Sequence, residues 1–270
     1  MKLIESKVEV MEQLPGLEGV YKQIELAGRT CYRSEDKITE DSAKGFVDRM
    51  IKSKHGAMLE HGTVYLCIPI IESKAYRIDS YNRNKYTKSQ IDVDKHVYYI
   101  TTNLRVLVEN NWLDDLEYIC EPTERHEKRI TSRFTCDRGV SHEIVRHRVM
   151  SFAQESQRYV GYDKEKFGGE VTFVKPHWYD EEFPACLTWV ESLKDSEKKY
   201  LDLREAGLKP QDARGVLPNA TKTEIVVTGF ESDWEHFFSL RSPKYGAQGV
   251  HPDMAKLADE LYEKLNSVNK

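Results

Sequence analysis

Residues 146–158 read RHRVMSFAQESQR, and Arg146, His147, Arg148 and Arg158 there crowd three guanidiniums and an imidazole beside Ser151, Gln154 and Ser156. Directly upstream, SRFTCDRG reads as a strand running into a helix, SHEIVRHRVM, which carries the basic cluster. Adjacent residues of a helix point to different sides, so Arg146 and Arg148 address two faces of one ligand or two ligands. Arginine is favoured over lysine where a planar fork must meet a phosphate or the carbonyl edge of a ring, and each charge-assisted bond contributes about 1.5–3 kcal/mol. Several arginines in one cleft imply a polyanion, because without one they would repel each other.

Outward from this centre, Leu14, Leu17, Val20, Tyr21, Ile24 and Ala27 recur at helical spacing and stop at Gly28; Phe46, Val47, Met50 and Ile51 repeat the pattern behind the cap candidate Asp41. TVYLCIPI reads as a buried strand ended by Pro69, with His61 and Thr63 at its mouth. Residues 71–95 are polar, with little periodicity, and are expected to form an excursion over the surface or a site. TTNLRVLVEN is expected as a helix, EPTERHEKRI as a charged connector and VTFVKP as a short strand. LTWVESLKDSEKKYLDLREAG forms a helical stripe closed by Gly207, TEIVVTGF a strand, and DWEHFFSLR a helix with Trp234, Phe237 and Phe238 turned to the core. HPDMAKLADELYEKL is an amphipathic helix with Pro252 in its first turn. No internal repeat or low-complexity linker interrupts residues 1–270, so one α+β domain is the simplest organisation.

Composition narrows the function. The chain has 270 residues, 39% hydrophobic and 31% charged, enough apolar material for an ordinary core. A formal net charge of −5 disfavours a protein that coats nucleic acid, yet leaves room for small anions wherever a few arginines gather. The five cysteines, at 31, 67, 120, 136 and 186, show no CxxC spacing, so neither a disulfide framework nor a zinc ribbon is expected. Neither a signal peptide nor a membrane-length apolar run is found, which leads us to expect a cytoplasmic protein with no membrane partner.

HEIVRH at 142–147 approaches the zincin pattern, but its histidines stand five apart, about 140° around a helix, where a shared metal needs four. No metal is expected there or at His55 and His61. A nucleotide- or RNA-binding module could use RHR with the Tyr/Arg/Lys-rich stretch at 76–88 as a phosphate-and-stacking surface. No GxGxxG fingerprint for a dinucleotide is present.

Arg146-His147-Arg148, seven residues, then Ser156 and Arg158 fix five positions, whose chance occurrence in a chain of this length is on the order of 10⁻⁴. This pattern resembles the signature of flavin-dependent thymidylate synthases. LEHGTVYL upstream, ARGVLP around Arg214 and the W-x-x-F-F-x-L-R run ending at Arg241 extend the resemblance over most of the chain.

The resemblance implies an α+β domain with a central, mostly antiparallel sheet flanked by helices. It implies reductive methylation of dUMP to dTMP, with methylenetetrahydrofolate as carbon donor, FAD reduced by NADPH, and no cysteine nucleophile. For dUMP it implies Glu143, Arg146, Gln154, Glu155, Ser156, Gln157, Arg158, Arg214 and Arg241, with backbone amides of the 154–158 loop helping. Arg241 is the catalytic candidate, favouring ionisation at N3 of uracil. For FAD it implies His61, Thr63, Arg146, His147, Arg148, Gln154 and His236. It also implies a homotetramer whose sites are shared between subunits. The chain departs from many members at Phe230 and Ser232, where Asn and Arg are usual.

Overall fold

The computed structural model describes residues 1–71 and 75–268. In chain order its elements are β1 (Lys2–Ile4), β2 (Lys7–Met11), α1 (Gly16–Tyr32), α2 (Ser42–Lys52), α3 (Gly56–Leu59) and β3 (Thr63–Pro69). There follow α4 (Ala75–Arg83), β4 (Lys88–Asp92), β5 (Val97–Asn103), α5 (Leu104–Glu109), β6 (Arg129–Asp137), α6 (Arg138–Ile144) and β7 (Ser151–Gln154). The chain continues through β8 (Thr172–Val174), α7 (Pro184–Glu205), α8 (Pro210–Ala213), β9 (Lys222–Phe230), α9 (Glu231–Arg241) and α10 (Pro252–Val268).

The expected α+β architecture is present. Its centre is a four-stranded antiparallel sheet in the order β2-β6-β9-β7, beside a three-stranded antiparallel sheet, β3-β5-β4, and a parallel pair, β1-β8. β9, lying between β6 and β7, is buried on both faces, which suits its run of β-branched residues. Along β9 side chains alternate: Ile225 and Val227 pack with Phe134, Trp234, Phe237 and Leu257 under α9 and α10, while Val226 turns the other way to Ala153 and to Ala27 and Cys31 of α1. A second core joins α1 and α2 to β3 and β5 through Val20, Ile24, Phe46, Leu66 and Ile100. Among the described residues no helix is long and apolar enough to cross a membrane.

Several local expectations fail for tertiary reasons. Gly28 does not end α1; the helix runs to Tyr32, with Arg33 beyond it in the left-handed region (φ 44°). Gly28 is there because a Cβ on it would lie 2.4 Å from the Phe46 ring, which packs on the helix backbone. Thr101, Thr102 and Asn103 belong to β5 rather than to the following helix, and the Asn103 side chain accepts from the Val106 amide to cap α5. Within the stretch 71–95, the described residues from Ala75 onward include regular elements that its lack of periodicity did not announce. Residues 72–74 lie outside the described residues, but α4 and β4 follow, β4 pairing with β5. Buried Asp115 anchors this region, accepting from the Tyr81 hydroxyl at 3.0 Å and Arg77 at 2.7 Å. β1 and β2, near the N-terminus, were not foreseen, since their role depends on partners more than 100 residues away.

Candidate functional site

The helix expected through RHR stops earlier. α6 begins at Arg138 behind Asp137, whose carboxylate accepts from the Val140 amide at 2.8 Å, and it ends at Ile144. Arg146, His147 and Arg148 therefore occupy the turn between α6 and β7. His147 Nδ1 donates to the Ile144 carbonyl at 2.9 Å, satisfying a terminal acceptor of the helix. Its Nε2 then carries the lone pair and accepts from Arg241 Nε at 3.4 Å. Burial holds His147 below the usual histidine range, with Arg241 acting in the same direction, and the Phe237 ring covers it at 4.8 Å.

Arg241 closes the constellation. It stands at the end of α9 and its Nη1 donates to Glu143 Oε2 at 2.5 Å. α9 is oriented by Trp234, Phe237 and Phe238 in the core, so the apolar face of the helix fixes where its terminal guanidinium lands. Gln154, the last residue of β7, donates to Ser141 Oγ at 2.8 Å and Thr223 Oγ1 at 3.2 Å. Gln154 is paired with Ile225 and so shares the α6–α9 face of the sheet.

Beyond β7 the chain presses against α1. Glu155 is buried and paired with Lys222 at 2.9 Å, and the Tyr162 hydroxyl points at its other oxygen. The Glu155 amide donates to Glu224 and the Ser156 amide to Cys31, while those of Arg158 and Tyr159 donate to Ser156. These four amides are therefore engaged within the chain in this conformation. Gln157 is buried; Arg158 is exposed, its guanidinium over the Tyr159 ring. Arg146, Arg148, Arg158, Arg214 and His236 are all exposed, and among the described residues none of the four guanidiniums makes an ion pair.

His61 and Thr63 are placed differently. His61 is wholly buried, its Nδ1 2.8 Å from Thr228 Oγ1, and desolvation pushes its pKa down to about 3. Thr228 lies on the α1 side of the sheet with Val226, so His61 is on the face opposite Gln154. Thr63 is also buried and receives Arg129 Nη1 at 3.4 Å. Arg129 was not singled out from sequence, because nothing in RITSRF marks its guanidinium as internal. It reaches the Glu60 carbonyl at 2.9 Å and Ser151 Oγ at 3.4 Å, the Phe230 ring lies 5.5 Å away, and its Nε is sealed without a hydrogen-bond partner. A cleft of about 450 Å³ opens beside it, lined in part by Gln13, Thr63, Tyr65, Cys120 and Thr131. At the start of α9 the Phe230 amide donates to Asp233 Oδ2 at 3.0 Å, and the Ser232 hydroxyl donates to Glu127 at 2.5 Å, so both divergent positions are engaged within the chain.

The fold and this cluster define an α+β protein in which Arg241 of α9 meets Glu143 of α6 and His147 of the turn that leads into β7. A model of the family described as thymidylate synthase complementing protein matches residues 125–268, more than half of the sequence, and the chain belongs to that family. The match contains every residue that the sequence assigns to a site except His61 and Thr63. The chain is similar to the flavin-dependent thymidylate synthases of Pyrococcus furiosus (37% identical over 129 residues, 48% of this chain and 52% of that one) and Pyrococcus horikoshii (41% over 129 residues, with the same shares). That of Mycobacterium tuberculosis is 36% identical over 140 residues, 48% of this chain and 54% of that one. The chain thus spans about half the length of the curated relatives it matches. A crystal structure of a UMP/dUMP methylase from Streptomyces cacaoi bound with 5-Br dUMP aligns with a TM-score of 0.48 at 17% identity, covering 99% of this chain and 93% of that one.

Proposed function

We propose that this protein converts dUMP to dTMP, taking the methylene from methylenetetrahydrofolate and reducing equivalents from FAD that NADPH has reduced, and using no cysteine nucleophile. The observation that carries the reading is the contact of Arg241 with Glu143 and His147, which brings the arginine of the W-x-x-F-F-x-L-R run onto the signature segment. The activity named for the matched relatives points the same way.

On this reading Arg241 donates to the uracil edge and stabilises negative charge spread from N3, making C5 electron-rich. Arg146, Arg158 and Arg214, exposed and without ion pairs among the described residues, supply charge for the nucleotide phosphate, and the Ser156 hydroxyl, half-exposed, donates beside them. Gln154 and Glu143 fix the site's edges, while Glu155 and Gln157 shape the loop from inside. Cys31, whose carbonyl holds the Ser156 amide, has its thiol pushed up to about 12 by burial, so it is no thiolate at neutral pH.

A flavin's pyrophosphate suits the unpaired Arg146 and Arg148, and His147, Gln154, His236, His61 and Thr63 complete the set assigned to it; when bound and reduced it supplies the hydride. Because Thr63 lines the cleft across the sheet from Gln154 in a single chain, we assign its flavin contact to a site completed by a second copy, in a homotetramer located in the cytoplasm; His61, wholly buried, supports that site through its neighbours rather than by touching the flavin. Aerobic purification of the full chain is expected to give a yellow protein whose flavin spectrum shifts on adding dUMP, and which forms dTMP with all three substrates. A colourless protein that binds RNA through the same arginines would overturn the reading.

A further inference from the structure

We propose that Cys67 and Cys120 form a reversible disulfide that fastens the 119–122 wall of the cleft to β3. Their sulfurs lie 3.0 Å apart although the residues are 53 positions apart. The placement is built into the backbone: Leu66 bridges Ile119 in antiparallel fashion and the Cys120 amide donates to the Tyr65 carbonyl at 3.0 Å, so the next residue on each strand turns to the same face. A disulfide needs an S–S distance of about 2.05 Å, so closing the bond requires a shift of about 1 Å, within reach of χ1 adjustments. Cys120 lines the cleft and is open to small reagents, whereas Cys31, Cys136 and Cys186 are buried.

The same cluster suits a metal less well. Cys67, Cys120 and His126 offer ligand atoms within 4.8 Å of one another. His126 Nδ1, however, accepts from the Thr123 amide at 3.1 Å, which places the ring proton on Nε2, and Nε2 donates to the Leu66 carbonyl at 3.1 Å. The imidazole has no lone pair left for an ion, and two thiols alone make a poor site for zinc.

The reaction is thiol–disulfide exchange with a small-molecule disulfide as oxidant. One protein thiolate attacks a sulfur of the reagent, forming a mixed disulfide and expelling one small thiol; the second protein thiol loses its proton and attacks that mixed disulfide, expelling the other. Two protein S–H bonds are replaced by one S–S bond, and the small disulfide becomes two thiols. Burial and the neighbouring Cys67 push the Cys120 thiol up to about 12, so exchange quickens as pH rises.

The test equilibrates the full chain over a range of oxidised-to-reduced glutathione ratios, then alkylates and weighs it. The wild type is expected to lose two of its five thiols together, lose the mass of two hydrogens, and give a peptide joining residues 67 and 120. Cys67→Ser and Cys120→Ser should each instead carry one glutathione adduct, the resolving thiol being absent. Amide exchange at Cys120 should slow at least about tenfold on oxidation of the wild type and not of Cys67→Ser. Five thiols remaining at every ratio, a persistent glutathione adduct on the wild type, or stoichiometric zinc that blocks oxidation would each overturn the proposal.

Discussion

Arg241 Nη1 lies 2.5 Å from Glu143 Oε2, an ion pair that joins the ends of α9 and α6 across 98 residues of sequence. With Nε directed at His147 Nε2, two edges of the guanidinium are held, and Nη2 is left without a partner among the described residues. A planar fork held on two sides and open on the third is oriented for an incoming ring edge at little entropic cost.

Arg241→Ala is therefore expected to lower dTMP formation by about 10²–10³-fold, the usual effect of removing one donor to a developing anion, while FAD remains bound. Glu143→Gln keeps the side chain's shape and frees the guanidinium, so a smaller loss is expected. Turnover and the flavin spectrum are measured on the same preparations; full turnover in Arg241→Ala would refute the assigned role.

Ser156→Ala removes a half-exposed hydroxyl whose oxygen accepts from the Arg158 amide at 3.3 Å. Loss of one charge-assisted bond of about 1.5–2 kcal/mol predicts dUMP binding weakened by roughly tenfold or somewhat more, with turnover at saturating dUMP falling far less. Abolished turnover with dUMP still bound would make Ser156 a nucleophile instead.

The signature could be read from sequence because its residues are contiguous and their chemistry is dense, and α7, α9 and α10 could be read because each carries a helical stripe. What could not be read depends on pairing. The helix through RHR was expected from local propensity, but Ser151–Gln154 is drawn into the sheet by β9, and the turn before it is stabilised by the His147 ring. β4 lacks an apolar alternation because it is largely exposed, with only Asp92 of its five residues buried. His61 was legible as special within LEHGT, but its opposition to Gln154 across the sheet is a matter of register. Arg129 carried no signal, since its burial beside Thr63 and Ser151 emerges only when β3, β6 and β7 assemble.

Gly28→Ala tests why α1 carries a glycine towards its C-terminal end. The added methyl would meet a Phe46 ring buried in the second core, and overpacking of this kind costs about 1–3 kcal/mol. Gly45→Ala, in α2 with only Arg49 Nη1 at 3.7 Å, should instead stabilise by about 0.5–1 kcal/mol through helix propensity. Urea unfolding of both variants decides; equal effects would mean that the Phe46 contact does not constrain the helix.

Lys222→Met breaks the buried pair beneath the signature loop, together with the contact of Lys222 with the less buried Glu224 at 2.7 Å. With Lys222 gone, the Glu155 carboxylate is left in the interior with only the Tyr162 hydroxyl near it, a loss expected to cost about 3–5 kcal/mol. Adding Glu155→Gln to Lys222→Met removes the stranded charge and should recover a large part of that stability. A double variant no more stable than Lys222→Met would assign the cost to packing rather than charge.

His61 sets an acid limit on the fold. Its pKa is about 3 in the folded chain against an ordinary value near 6.5, so the folded state keeps the ring neutral while the unfolded chain takes up a proton as pH falls below about 6.5. The stabilisation is complete above that pH and is lost at about 1.4 kcal/mol per pH unit on descending towards pH 3. His61→Gln retains a partner for Thr228 Oγ1 but cannot titrate, so it should be less stable at pH 7 and yet show an acid slope shallower by about that amount between pH 6 and 4. His147 and His126, also held low by burial, keep their share of the slope in both proteins. Urea midpoints across this range measure the difference, and parallel slopes would show that His61 titrates normally in the folded state.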